Sequence, residues 1–265
     1  MISFLNVSVK YDKNHGTALN KVNLDVDGGK VVVVGANGSG KTTMIKVLLG
    51  LAPLTSGKVM VGDDHNRDLR DFTELGTNLQ EVYNIARGTV TDLMDLWGKL
   101  KGKSNSDLKA RISDYGLEDT LRKYLHNLST GQRKMVCNLL ATSFNARTIL
   151  LDEPFENVDQ SKRVKFLKEI IAMDCEIIMV THEIHLLRYL KGWTLYFMVD
   201  GSLWGKFNAV DVERIYISRG RVENAVVSFN TELGEVSITM DQGGMQLVRA
   251  GSLSNALEGV AMDAF

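Results

Sequence analysis

Cysteine is nearly missing from this chain: the two present, Cys137 and Cys175, lie far apart and form no C-x-x-C pair. That spacing argues against a zinc site or a disulfide framework and suits a reducing cytosol, with both thiols expected as small core residues. Long apolar runs are missing too, since no uninterrupted stretch approaches the roughly 20 residues that span a bilayer. The first six residues carry neither a basic segment nor a long apolar one, so no secretory signal is expected. Neither sign of charge dominates. The 31 Lys and Arg against 32 Asp and Glu remove any bulk electrostatic case for a nucleic-acid or membrane-surface partner, and no nucleic acid is expected. No internal repeat or low-complexity segment is apparent.

At 265 residues the chain can hold one large domain, or a domain with a small appendage. Leu5, Val7, Val9 and Tyr11 alternate, as do Val22, Leu24 and Val26, which predicts two half-buried strands joined by a polar turn around Asn14-His15-Gly16. By contrast, Val31 to Val34, Thr148 to Leu151 and Ile177 to Val180 are short continuous apolar runs, the pattern of parallel strands covered on both faces. Between them, three sets recur at helical spacing: Val90, Leu93, Met94, Trp97 and Leu100; Leu108, Ile112 and Tyr115; and Leu121, Tyr124, Leu125 and Leu128. The expected fold class is therefore α/β: a parallel sheet with an antiparallel flank, a helical insertion over about 88–128 and a small α+β appendage. Residues 1–205 form the main domain and 206–265 the appendage. In the latter, Val222 to Asn230 and Val236 to Met240 read as strands around a Leu233-Gly234-Glu235 turn, with Ser252 able to cap a last helix.

The most informative stretch is Gly35-Ala36-Asn37-Gly38-Ser39-Gly40-Lys41-Thr42, which fits G-x-x-x-x-G-K-[ST] and directly follows the Val31 to Val34 run. A buried strand delivers the chain to a glycine-rich turn whose backbone N–H groups converge on phosphate oxygens, and the next helix adds its positive dipole end. Lys41 would supply a point charge to the β- and γ-phosphates of a nucleoside triphosphate, and Thr42 would set its hydroxyl on Mg²⁺. The second signal is Asp152-Glu153, two carboxylates ending the apolar run that begins at Thr148. A strand beside the phosphate-loop strand presents Asp152 at the carboxyl edge of the sheet, where it can hold the Mg²⁺ shell. Glu153, next to it, is a candidate general base for water. The third signal is Leu128-Ser129-Thr130-Gly131-Gln132, ahead of a helix with an apolar stripe of Met135, Val136, Leu139 and Leu140. Ser129 and Gln132 have the spacing of a capping box, which by itself accounts for both residues as local structure.

That third stretch also resembles the LSGGQ signature of ABC ATPases, and with the other two motifs the resemblance covers residues 1 to about 204. It implies an ATPase that dimerises head to tail, with Ser129, Thr130, Gly131 and Gln132 reaching the γ-phosphate of ATP held by the partner's phosphate loop, Gly35 through Thr43. Tyr11 matches the aromatic that stacks on adenine, although its phase also fits a core position. Gln80 matches the glutamine that reaches Mg²⁺ and the transmembrane partner, Asp159 the aspartate at the dimer contact, and His182 the histidine on the γ-phosphate. The departures are Ala36 for proline, Thr130 for glycine and Glu156-Asn157-Val158-Asp159 after the strand; none removes a catalytic group. The resemblance further implies a homodimer or heterodimer of ATPase subunits on the cytoplasmic face of the membrane, driving a separate permease subunit, with the C-terminal appendage similar to exporter subunits. A non-transport ABC ATPase and a nucleotide-gated interaction module with negligible turnover are the alternatives, Glu153 arguing against the second. A kinase or GTPase would leave Leu128 to Gln132 without a purpose.

Overall fold

The computed structural model describes residues 2–11, 16–61, 75–84, 87–231 and 234–262. The expected turns at Asn14-His15-Gly16 and Leu233-Gly234-Glu235 fall partly outside them. The chain divides into two compact units, one of residues 1–66 and 180–265, the other of residues 67–179.

In the first unit, β1 (Ile2–Val9) and β2 (Leu19–Val26) form the expected antiparallel pair. Their register is broken in two places, Phe4 to Val7 and Val7 to Val9. In the first of these Asn6 adopts φ 49°, and this bulge turns Leu5 outward while Phe4, Val7 and Val9 stay buried. β3 (Lys30–Gly35) is the buried valine run, and it feeds the loop that ends in α1 (Lys41–Leu48). β4 (Ser56–Val61) completes a three-stranded flank on the other side of β1. Burial on both faces is what lets four consecutive valines serve in β3.

Within the second unit, β5 (Leu75–Thr77) is followed by the short α2 (Gln80–Tyr83), α3 (Val90–Leu100), α4 (Ser106–Asp114) and α5 (Thr130–Ala141). β6 (Thr148–Asp152) pairs in parallel with β5. Helix α5 lies so close to β5 that a Cβ on Gly76 would sit 1.9 Å from the Ala141 carbonyl oxygen. α3 opens on a capping box between Thr89 and Asp92, whose bonds to Thr89 hold the Asp92 carboxyl below its ordinary range. The helical spacing of Leu121, Tyr124, Leu125 and Leu128 does not yield an α-helix. Short 3₁₀ turns at 118–120 and 125–127 stand there instead, because the Leu121 and Lys123 carbonyls accept from the Thr91 and Val90 N–H groups and Tyr124 bridges to Thr89. α6 (Gln160–Ala172) is tied to α4 by the Glu169 carboxylate, which accepts from Arg111 at 2.7 Å and from the Tyr115 hydroxyl at 2.9 Å.

β7 (Glu176–Thr181), buried throughout, returns the chain to the first unit. There β8 (Thr194–Val199) runs parallel to β3, and β9 (Ser202–Asn208) antiparallel to β8. The C-terminal sheet has the order β11 (Val227–Thr231), β12 (Gly234–Met240), β10 (Ile215–Arg219), β13 (Met245–Gln246), with α7 (Leu247–Ala250) and α8 (Leu253–Met262) following. It meets the main strands through Trp204 of β9, which stacks on Phe229 of β11 at 5.0 Å. The strand expected from Val222 begins only at Val227. Upstream, the Val222 N–H donates to the Ser237 hydroxyl and its carbonyl closes a turn onto Ala225, so the ladder starts late. Ser252 caps α8 as expected, accepting from the Asn255 N–H at 3.1 Å.

Candidate functional site

The phosphate loop is held from several sides within the first unit. Gly40, at φ 108°, has the Ala18 carbonyl oxygen 2.4 Å from where a Cβ would stand, so both its conformation and its surroundings exclude a side chain. The Gly201 N–H donates to the Ser39 carbonyl at 3.0 Å and pins the loop's far side. Lys41 is only 5% exposed, and its ammonium donates to the carbonyls of Gly35 at 2.8 Å and Ala36 at 2.9 Å. Those neutral acceptors hold the charge inside the loop. An anionic phosphate oxygen makes the stronger, charge-assisted partner for the same donor. Thr42 stands exposed on the first turn of α1, while Thr43 is buried.

Tyr11 lies just past β1 and is 52% exposed, which overturns the core reading of its phase; its hydroxyl is 3.2 Å from the Thr43 hydroxyl. Val7 and Val9 are buried in the same phase, but the strand ends at Val9 and Tyr11 lies beyond it. An exposed ring anchored to the loop's own helix is suited to stacking on a base. His182 follows β7 at its carboxyl end and is half-buried. Tyr11, the phosphate loop and His182 all belong to the first unit.

Asp152, Glu153, Gln80, the Ser129–Gln132 stretch and Asp159 belong to the second unit. Asp152 ends β6 and Glu153 follows with φ 44°, a left-handed backbone that a non-glycine residue adopts rarely. The backbone around them is tied down by side chains to which the sequence motifs gave no role. The Asn78 carbonyl oxygen accepts from the Asp152 N–H at 2.7 Å, its amide donates to the Asp152 carbonyl at 3.1 Å, and Lys134 donates to that same carbonyl at 3.1 Å. The one sequence signal for this arrangement is an amide inside an apolar stripe: Asn138, fully buried, in the middle of α5 between Met135, Val136, Leu139 and Leu140. Gln80 begins α2, two residues after Asn78.

At the head of α5 the capping box is present, with the Ser129 hydroxyl accepting from the Gln132 N–H and the Gln132 side chain accepting from the Ser129 N–H. Ser129 and Thr130 are exposed. Thr130 is tolerated at the place of a glycine because it occupies an exposed first helical position. Gly131 is not replaceable in the same way: a Cβ there would come within 2.3 Å of the Asn157 carbonyl oxygen. Asp159 occupies the N-cap of α6, but its carboxylate makes no capping bond and pairs with Lys162 at 3.2 Å. Among the described residues no cluster of three or more His, Cys, Asp or Glu side chains is placed to hold a metal ion. Of the residues expected to hold Mg²⁺, Thr42 offers a hydroxyl, Gln80 an amide oxygen and Asp152 a carboxylate, all of them oxygen donors. That set fits Mg²⁺, which takes few protein ligands and completes its shell with phosphate and water.

A buried strand, a glycine loop and a helix-borne lysine, with a strand-end carboxylate pair on the same chain, define an α/β nucleoside triphosphatase of the phosphate-loop class. The particular family follows from comparison: the family model described as ABC transporter matches residues 19–156. A Staphylococcus epidermidis protein named as a hemin import ATP-binding protein, HrtA, is 32% identical over 186 residues, covering 64% of this chain and 84% of its own. Its Staphylococcus aureus counterpart is 31% identical over 199 residues, 67% of this chain and 90% of its own. A solved structure named as a cobalt transport ATP-binding protein, cbiO-2, superposes with TM-score 0.88 at 32% identity, over 98% of this chain and 100% of that one. The dimeric cassette MJ0796 bound to ADP and phosphate shares the fold, with TM-score 0.68 at 22% identity over 79% of this chain and 99% of that one. The chain belongs to the ABC transporter family and is an ATP-binding, ATP-hydrolysing subunit of that family. No helix among the described residues is long and apolar enough to cross a membrane.

Proposed function

We propose that two ATPase subunits, this chain paired with a second copy or with another such chain, close head to tail around two ATP molecules and drive a separate membrane-spanning permease from its cytoplasmic face. The observation that carries this reading is the exposed head of α5. Ser129 and Thr130 are exposed at the N-terminus of α5, the positive end of the helix, which is the surface a second subunit's γ-phosphate would meet. A two-fold pairing then makes two equivalent sites.

In this reading Gly35 through Thr43 cradle the triphosphate, and Lys41 exchanges its loop carbonyls for β- and γ-phosphate oxygens. Thr42, Gln80 and Asp152 would hold Mg²⁺, which supplies charge neutralisation on the phosphates. Tyr11 stacks on the base. Glu153 orients water and takes its proton as the water oxygen bonds to the γ-phosphorus, while the bond to the β–γ bridging oxygen breaks and ADP leaves. His182 positions the γ-phosphate, and Asp159 lies at the subunit contact. Dimer closure is the two-state element that ATP biases. Residues 206–265 form an accessory region. The match to the cobalt transport protein spans that region as well.

The test is co-purification from the native membrane. A tagged Glu153→Gln chain with saturating Mg-ATP is expected to retain a multi-span membrane protein and to release it when ATP is removed. Capture of soluble partners alone would favour a non-transport ABC ATPase.

A further inference from the structure

Two buried amides, neither of them a group that touches ATP or water in the proposed hydrolysis, sit where the Glu153 carboxylate is mounted. Asn78 is 3% exposed and Asn138 fully buried, sixty residues apart in the chain, yet the Asn78 amide donates to the Asn138 carbonyl oxygen at 2.8 Å. Leu79 beside Asn78, and Cys137 and Leu139 beside Asn138, are buried apolar residues. Bare amides at such places are costly, so their bonds must be complete. They are directed at one short piece of backbone. Asn78 takes both the N–H and the carbonyl of Asp152, and Asn138 donates to the Pro154 carbonyl at 2.7 Å. Glu153 is the residue between those two anchors, and it holds φ 44°.

We propose that Asn78 and Asn138 are positioning residues for hydrolysis, an amide clamp that grips the chain on both sides of Glu153 and fixes where its carboxylate points. The inference rests on Glu153 being the general base. A left-handed backbone persists at a non-glycine residue only where the surroundings over-determine it, and here the over-determination is visible in four named bonds. A pair of leucines would fill the same volume but would leave the Asp152 N–H and the Pro154 carbonyl without these partners, so the amides are there for the backbone on either side of Glu153 and not for packing volume. The clamp also has two handles. Asn78 is two residues from Gln80, and Asn138 lies on α5, whose head is Ser129 and Gln132. Movement of the Gln80 segment or of the signature helix therefore reaches Glu153 through one hydrogen-bonded chain, which couples the state of both to the setting of the base.

The test uses Asn78→Ala, Asn138→Ala, the milder Asn78→Ser, and the double variant Asn78→Leu with Asn138→Leu, each made in the wild-type and the Glu153→Gln chain. ATP affinity, single-turnover hydrolysis and thermal midpoint are measured for all, below the midpoint of each. In the wild-type chain, each alanine variant is expected to lower the hydrolysis rate about 10- to 100-fold, the scale of a displaced reacting group, with ATP affinity unchanged. The leucine pair restores the packing volume but not the bonds to Asp152 and Pro154, and is expected to keep the rate loss of the alanine variants. In the Glu153→Gln chain, the same substitutions are expected to cost nothing further, because the group they position is already gone. Rates that rise and fall with the thermal midpoint across the set, or an equal loss in both backgrounds, would overturn the clamp. Undiminished hydrolysis by Glu153→Gln alone would instead overturn the general base on which the clamp rests.

Discussion

Gly131, in the signature stretch, and the Asn157 carbonyl, in the loop after the carboxylates, approach so closely that one added methyl would stand 2.3 Å from the oxygen. Backbone on at least one side must move to admit it. Gly131→Ala should therefore displace the exposed Ser129–Thr130 head of α5 while leaving the phosphate loop intact. Expected is a loss of steady-state turnover of at least tenfold with ATP affinity of the isolated subunit unchanged, read by phosphate release and by nucleotide titration. Wild-type turnover in this variant would mean that the closeness has no bearing on the reaction.

Lys41→Ala removes the one cation inside the phosphate loop. A charge-assisted contact is worth about 1.5 to 3 kcal/mol, so ATP binding should weaken by about 10- to 150-fold and hydrolysis should vanish. Isothermal titration and phosphate release check the two effects separately.

Glu153→Gln keeps the shape and removes the base. Mg-ATP binding should survive, hydrolysis should slow by about 10²- to 10⁴-fold, and an ATP-bound dimer should accumulate. Sedimentation that finds only monomer in saturating Mg-ATP would count against head-to-tail closure.

A hybrid dimer decides whether Ser129 serves its own loop or the partner's. Wild-type chain is cross-linked to a Lys41→Ala, Ser129→Arg double variant, so that a trans arrangement breaks both sites whereas a cis arrangement spares one. The expected activity is near zero. About half of wild-type turnover, assuming independent sites, would place signature and loop in the same subunit.

The two thiols should differ in reactivity. Burial pushes the Cys137 pKa up to about 12, so at pH 8 its reactive thiolate is almost absent, and the group is shielded besides. Cys175 is half-exposed. Maleimide at pH 8 is expected to modify one site on the native chain, Cys175, and both after denaturation, as read by mass spectrometry.

What the sequence determined by itself is what contiguous residues can determine. The valine run, the glycine loop and the lysine lie within about a dozen positions, and the Ser129–Gln132 capping box closes on itself across three residues; each needs only local hydrogen bonds and helix or strand geometry. The strand-end carboxylates are legible for the same reason. Where bonding partners came from elsewhere in the chain, periodicity misled: Asn6 threw Leu5 outward, and the start of α3 took the carbonyls of Leu121 and Lys123 and kept that stretch from winding into a helix. The grip of Asn78 and Asn138 on either side of Glu153 and the approach of Gly131 to Asn157 were decided by tertiary structure alone. Residues sixty and twenty-six positions apart meet there because burial of the β5, β6 and α5 faces brings them together, and no local pattern encodes which buried amide will find which backbone group.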